Sequence, residues 1–187
     1  MKWNKKTIPA VSLVLLFSAT MAFGQQSTTT KAVPASDAQF AKEAAQANLA
    51  EIKLGQLAEK NGSGATVKNF GQRMMTDHSA AQQKLEAAAA QDNIKLPTAP
   101  NAQQQATYDQ LSQLHGVKFD QAYAKDMVQD HTKDISTFKH EANDGHNTTI
   151  KNFASATLPT LQEHLRLAHQ MNQKVSAMTT QTSNPHS

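Results

Sequence analysis

Residues 119–142 read FDQAYAKDMVQDHTKDISTFKHEA, and this stretch decides the fold. Its apolar residues recur every three to four positions, which is the period of one helix face. They are Phe119, Tyr123, Met127, Ile135, Phe138 and Ala142. His131 falls on the same face, one turn from Met127 and one turn from Ile135. The pattern predicts a long amphipathic helix with a histidine at the middle of its buried side.

Three other segments carry the same period and predict long helices over residues 36–60, 65–92 and 147–178. A shorter helix is predicted over 101–114, in the long crossover between the second and third long helices. No β-branched alternation with hairpin turns occurs, so no strand is predicted. We therefore predict an all-α protein, a ferritin-like four-helix bundle over residues 36–178 with a short extra helix in the helix 2–3 crossover.

The N-terminal residues have the composition of a secretory signal. Three lysines precede an apolar run over residues 8–17, and Ala22-Phe23-Gly24 has the small-x-small pattern of a cleavage site. We predict a signal peptide over 1–24 that is cut after Gly24, a flexible linker over 25–35 and a disordered tail over 179–187. The expected location is the periplasm, or the outer membrane as an associated protein.

Charge and cysteine content narrow the range of partners. The chain has 18 Lys+Arg against 15 Asp+Glu, and three of the lysines lie in the predicted signal, so the mature chain is balanced. No basic cluster with interleaved aromatic residues is present, which argues against nucleic acid as a partner. There is no cysteine, so disulfides do not hold the domain. No segment after the signal is apolar enough to predict a transmembrane span.

Each long helix also places one titratable residue near the middle of its apolar face. These residues are Glu51, His78, His131 and His164. Because the midpoints of antiparallel helices share one level, the four side chains are expected to converge. Three imidazoles and a carboxylate suit zinc or copper, so the layer is a candidate metal site.

Neighbouring residues could support such a site. Each histidine follows an acid, namely Asp77, Asp130 or Glu163, which could orient a histidine of an adjacent helix as an outer hydrogen-bond partner. Met74 and Met127 lie one turn from a histidine on the same face, and their thioethers would suit copper(I).

A second interpretation remains open for the same residues. In that alternative the histidines hydrogen-bond Glu51 and each other in a buried polar network without metal. The protein would then be a structural or interaction module of the cell envelope, with envelope proteins as partners.

A short spacing pattern occurs in both the second and the third long helices. Phe70, Met74, Asp77 and His78 have the same spacing as Tyr123, Met127, Asp130 and His131. On this basis the two helices are predicted to be equivalent members of two related hairpins.

Three stretches resemble the bacterial domain-of-unknown-function family 4142. They are FDQAYAKDMVQDH from Phe119, LPTLQEHL from Leu158 and VKNFGQRMMTDHSAAQQKL from Val67. The resemblance covers about residues 37–178, and it implies a ferritin-like bundle in an exported or outer-membrane protein. It implies little about activity.

Enzymatic chemistry of the di-iron type is not expected. Such bundles carry Glu-x-x-His motifs, but the residues three before the histidines here are Met75, Val128 and Leu161. The sequence has no cysteine, and none of its serines lies in a recognisable nucleophile elbow, so covalent catalysis is not expected. We therefore predict a non-enzymatic protein.

Overall fold

The computed structural model describes residues 32–182, with side chains through residue 177. Within that range the protein is all-α, with five helices and no strand. The helices are α1 (Ala35–Asn61), α2 (Ala65–Gln91), α3 (Ala102–Ser112), α4 (Gly116–Asp144) and α5 (Thr148–Thr182). The predicted signal peptide and most of the predicted linker and tail lie outside the described residues.

The helix boundaries follow local sequence signals. Asn101 caps α3, because its side chain accepts a hydrogen bond from the Gln104 amide at 2.9 Å while the Gln104 side chain accepts from the Asn101 amide at 2.8 Å. Gly116 opens α4 with a φ of +61°, which favours glycine. The first long helix was predicted to begin at Ser36, and it begins one residue earlier, at Ala35, with Pro34 in the N-cap position.

The long helices form two hairpins. α1 packs mainly on α2 and α4 mainly on α5, while α2 also packs on α5 and α1 faces α4. The crossover helix α3 contacts α1 and α4. The backbones of α1 and α2 approach closely at Gly55 and Gly71, where a Cβ on Gly55 would lie 2.5 Å from the Gly71 carbonyl oxygen.

Each hairpin also holds the turn of the other through a buried aspartate. Asp120 in α4 accepts hydrogen bonds from the backbone amides of Ser63 and Gly64, both at 3.0 Å. Asp37 in α1 accepts from the backbone amides of His146 and Asn147 in the same way. The two hairpins are therefore clamped reciprocally, and each carboxylate satisfies amides at the start of a helix.

The apolar core consists of two clusters along the helix axes. One is built around Phe70, Phe119 and Tyr123, and the other around Phe40, Phe138 and Phe153. In sequence, His131 separates Met127 of the first cluster from Ile135 of the second. A polar layer thus interrupts the core. Among the described residues, no helix combines the length and apolar character that crossing a membrane requires.

Candidate metal centre

Three histidines from three helices meet in the polar layer. His78 comes from α2, His131 from α4 and His164 from α5, and their side chains are at most 2 % exposed. Their ring centroids are 5.3–5.8 Å apart. One ring nitrogen from each lies within 4.8 Å of the others. Among the described residues, no other group of three or more acids and histidines is gathered this closely.

Each histidine is fixed from outside the cluster by one hydrogen bond. His78 Nδ1 lies 3.0 Å from the side-chain oxygen of Asn48, and His131 Nδ1 lies 2.9 Å from the Met127 carbonyl oxygen. His164 Nε2 lies 2.8 Å from the Asp77 carboxylate. A carbonyl or carboxylate oxygen can only accept, so each of these ring nitrogens carries the proton and donates.

The other nitrogen of each ring is left with a free lone pair. His78 Nε2, His131 Nε2 and His164 Nδ1 are buried and have no hydrogen-bond partner. A buried polar atom without a partner costs about 1–3 kcal/mol. Three such atoms within one cluster, each on a ring whose opposite nitrogen donates to an oxygen, form the arrangement in which histidines bind a metal.

Burial keeps these rings uncharged near neutral pH. It lowers the pKa of His78 well below the usual histidine range, and the neighbouring His131 and His164 lower it further. Burial and His164 lower the pKa of His131 to about 4. Burial also lowers the pKa of His164, although its hydrogen bond to Asp77 acts in the opposite direction. Neutral imidazole is the form that coordinates metals.

Comparison with known families agrees with the resemblance seen in the sequence. The family model described as "Domain of unknown function (DUF4142)" matches residues 22–171. The chain belongs to this family. A solved structure, the DUF305 fragment from Deinococcus radiodurans, has a TM-score of 0.67 with 12 % identity, and the match covers 77 % of this chain and 99 % of that one. This likeness concerns the fold alone. No curated protein matches the chain.

In this DUF4142 chain, Glu51 does not join the histidines. It is buried, but the charged groups that act on its carboxyl are Asp126, Asp130 and Asp134. These aspartates lie on a different side of α4 from His131. The position facing His78 from α1 belongs to Asn48, three residues earlier. Three residues on a helix correspond to about 300° of rotation, so Asn48 and Glu51 are both buried but point about 60° apart.

Of the three acids predicted to hydrogen-bond the histidines, the structure places only one beside a histidine ring. Asp77 holds His164, as the sequence suggested for an acid on an adjacent helix. Asp130 lines a groove between α1 and α4 instead. Glu163 is paired with Arg166 at 2.6 Å on the exposed side of α5. Met74 and Met127 are fully buried in the first apolar cluster.

A sequence repeat would have identified Asn48. DAQFAKEAAQANLAEI from Asp37 matches DQAYAKDMVQDHTKDI from Asp120 without a gap, and VKNF from Val67 matches IKNF from Ile150 at the same offset. The repeat pairs α1 with α4 and α2 with α5. The shorter spacing pattern described in the sequence analysis had instead paired α2 with α4. It places Asn48 opposite His131 and Glu51 opposite Asp134.

Proposed function

We propose that this protein is an exported, non-enzymatic metal-binding protein that holds zinc or copper through His78, His131 and His164. The observation that carries the proposal is the set of three buried ring nitrogens that lack a hydrogen-bond partner. The alternative of a self-contained polar network is less favoured, because the hydrogen bonds of these rings lead outward to Asn48, Met127 and Asp77.

The donor set fits a borderline transition metal. Zinc binds imidazole at about 2.0–2.1 Å, which in tetrahedral geometry sets the nitrogens about 3.3 Å apart. The nitrogens here lie within 4.8 Å of one another, so small side-chain movements suffice to close the site. Three protein ligands leave a fourth position for water or an exchangeable ligand, and copper is also served by imidazole.

The wider setting belongs to the same proposal. We assign the helices to a four-helix bundle of the ferritin-like kind, supported by the two hairpins and the short crossover helix. Export to the periplasm, with association to the outer membrane as the other option, rests on the basic and apolar pattern of residues 1–24. The lack of Glu-x-x-His motifs supports a binding role rather than an enzymatic one.

The decisive experiment is elemental analysis of untagged protein purified from its own envelope fraction without chelators. We expect about one zinc or copper ion per chain, and loss of the ion in His131→Leu, which keeps the approximate side-chain volume. His140→Ala is the matched control, because His140 also lies on α4 but is exposed.

A metal-free protein that takes up neither zinc nor copper in equilibrium dialysis would overturn the proposal. The protein would then be a structural or interaction module of the envelope. Equal metal content in the parent and His131→Leu would locate the ion elsewhere and would equally reject the histidine site.

A further inference from the structure

A groove runs between α1 and α4 on the side away from the histidines. The crossover covers it, with Asn101 and Gln104 contributing to its lining, and its cavity measures about 200 Å³. A water molecule occupies about 30 Å³ in the liquid, so the groove has room for several waters as well as an ion.

The α4 wall of this groove is acidic. Asp126, Asp130 and Asp134 lie on successive turns and all line the cavity. Like charges one turn apart destabilise a helix by about 0.2–0.5 kcal/mol per pair. Lys133 is a cation that also lines the cavity, and it interacts with Asp130 and Asp134.

Glu51 reaches the same groove from α1. Its side chain is 2 % exposed, it lines the cavity, and its Oε2 atom has no hydrogen-bond partner. Asp126 Oδ2 is likewise buried without a partner. Burial of an unpaired carboxylate is costly, so an interior group of this kind calls for a bound counter-charge or a proton.

We propose that this groove is a second ion site, which holds a hydrated hard divalent cation such as Mg²⁺, Ca²⁺ or Mn²⁺ between Glu51, Asp126 and Asp134. Oxygen ligands select such ions, whereas the imidazoles of the histidine cluster select zinc or copper. Asp126 and Asp134 are eight residues apart, which is about 12 Å along the axis of α4, and the carboxylates are not gathered within 4.8 Å as the histidines are. The carboxylates therefore reach the ion largely through its water shell. Mg²⁺ in particular retains several waters in proteins.

The sequence repeat supports a site shared between the two hairpins. Glu51 of α1 corresponds to Asp134 of α4, and Glu43 of α1 corresponds to Asp126. Glu43 and Asp134 both line the cavity that continues the groove. The two helices therefore each supply the same two acidic positions to the gap between them.

The charge state of the groove fits an ion that competes with protons. Burial, together with the neighbouring Asp130, raises the pKa of Asp126 to about 7 and that of Asp134 to about 7. Asparagine has nearly the shape of aspartate and carries no charge, so replacing both residues with asparagine removes the charges of the groove and should leave folding intact.

The test is equilibrium dialysis of the untagged His131→Leu protein against Mn²⁺, Mg²⁺ or Ca²⁺ at pH 8 and constant ionic strength. The His131→Leu background removes the histidine cluster as a competing Mn²⁺ site. We expect about one ion per chain, with a dissociation constant of about 10⁻⁴–10⁻³ M, and at least about tenfold weaker binding in Asp126→Asn/Asp134→Asn. Glu51→Gln should weaken binding as well.

Glu59→Gln is the matched control, because Glu59 lies on α1 but is exposed. Failure to bind any of the three ions up to about 5 mM would overturn this site. Equal binding by the double variant and the control would do the same. Neither result bears on zinc or copper uptake by the histidines, so the two proposals fail separately.

Discussion

The histidine cluster and the acidic groove lie on different sides of α4, and they accommodate buried polar groups in different ways. The histidines are fixed by outer hydrogen bonds and drawn together, so their free nitrogens face one point. The carboxylates are spread along a cavity that can hold water. Burial lowers the pKa of the imidazoles and raises that of the carboxyls, so both sites favour uncharged forms when empty. The difference lies in how far each site is preorganised for an ion.

The largest expected effect is on stability when metal binds the preorganised cluster. Zinc at about 100 times its dissociation constant should stabilise the parent by about 2.7 kcal/mol. His131→Leu should show no zinc-dependent stabilisation, although it should be at least as stable as the metal-free parent because it removes a buried atom without a partner. Urea unfolding with and without zinc measures both quantities. An equal zinc response in the parent and His131→Leu would contradict the comparison.

The second effect concerns the outer hydrogen bonds. Asp77→Ala removes the acceptor that orients His164, so metal affinity should fall about 10- to 100-fold. Glu163→Ala is the control, since Glu163 pairs with Arg166 on the surface and should leave affinity unchanged. Competition with a metal-binding dye gives both affinities. Similar losses of metal affinity in the two variants would show that the hydrogen bond from His164 to Asp77 does not set the affinity.

A third effect distinguishes the two sites by the sign of their pH dependence. The pKa of Asp134 is about 7 in the folded protein and about 3.9 when unfolded, so its contribution to stability falls as pH rises from about 4 to 7. Asp134→Asn should therefore stabilise the metal-free protein above pH 7, by about 1–2 kcal/mol after allowance for solvent, and should have little effect near pH 4.

The histidines act in the opposite sense. The pKa of His131 is about 4 when folded and about 6.5 when unfolded, so the protein loses stability as pH falls from about 6.5 to 4, because the unfolded chain takes up a proton that folded His131 does not. Urea midpoints at pH 4, 5, 6, 7 and 8 separate the two contributions. A gain from Asp134→Asn that is constant across this range would contradict the raised pKa.

The smallest expected effect is at the buried thioethers. Met74→Leu conserves volume, so it should cost less than about 1.5 kcal/mol and leave zinc affinity unchanged. If copper(I) affinity fell tenfold while zinc affinity did not, the thioether would be a ligand and the cluster would be a copper site.

The sequence predicted the all-α class and the positions of the long helices because every long helix carries a regular apolar face. His131 was placed correctly on the buried side since apolar residues flank it by one turn in both directions. On α1 the same reasoning selected Glu51, because alanines on either side of the helix make its buried face broad and poorly defined. Periodicity shows that a residue is buried, but it does not show which of two neighbouring buried residues faces a given partner.

The sequence repeat shows which of these two residues of α1 faces the histidines. In the gapless match between α1 and α4, Asn48 aligns with His131, so it is expected at the same inward position whatever the local composition. The separation of Glu51 from the histidines, and its place beside three aspartates, depends on the gap between α1 and α4. Such a gap is a property of how helices pack, and no single helix pattern contains it.

The bond between His164 and Asp77 would also bear on how fast an ion exchanges at the proposed metal site. Asn48 is buried, and the Met127 carbonyl belongs to a helix, but the Asp77 side chain is 28 % exposed and also pairs with Arg73 through the same carboxylate oxygen at 3.2 Å. Arg73 and His164 therefore share that oxygen, which can accept both hydrogen bonds. Of the three outer acceptors it is the one that reaches solvent, so the edge of α2 and α5 beside His164 is the expected exit from the proposed metal site. Asp77 would then influence how long a metal stays bound as well as how tightly it binds.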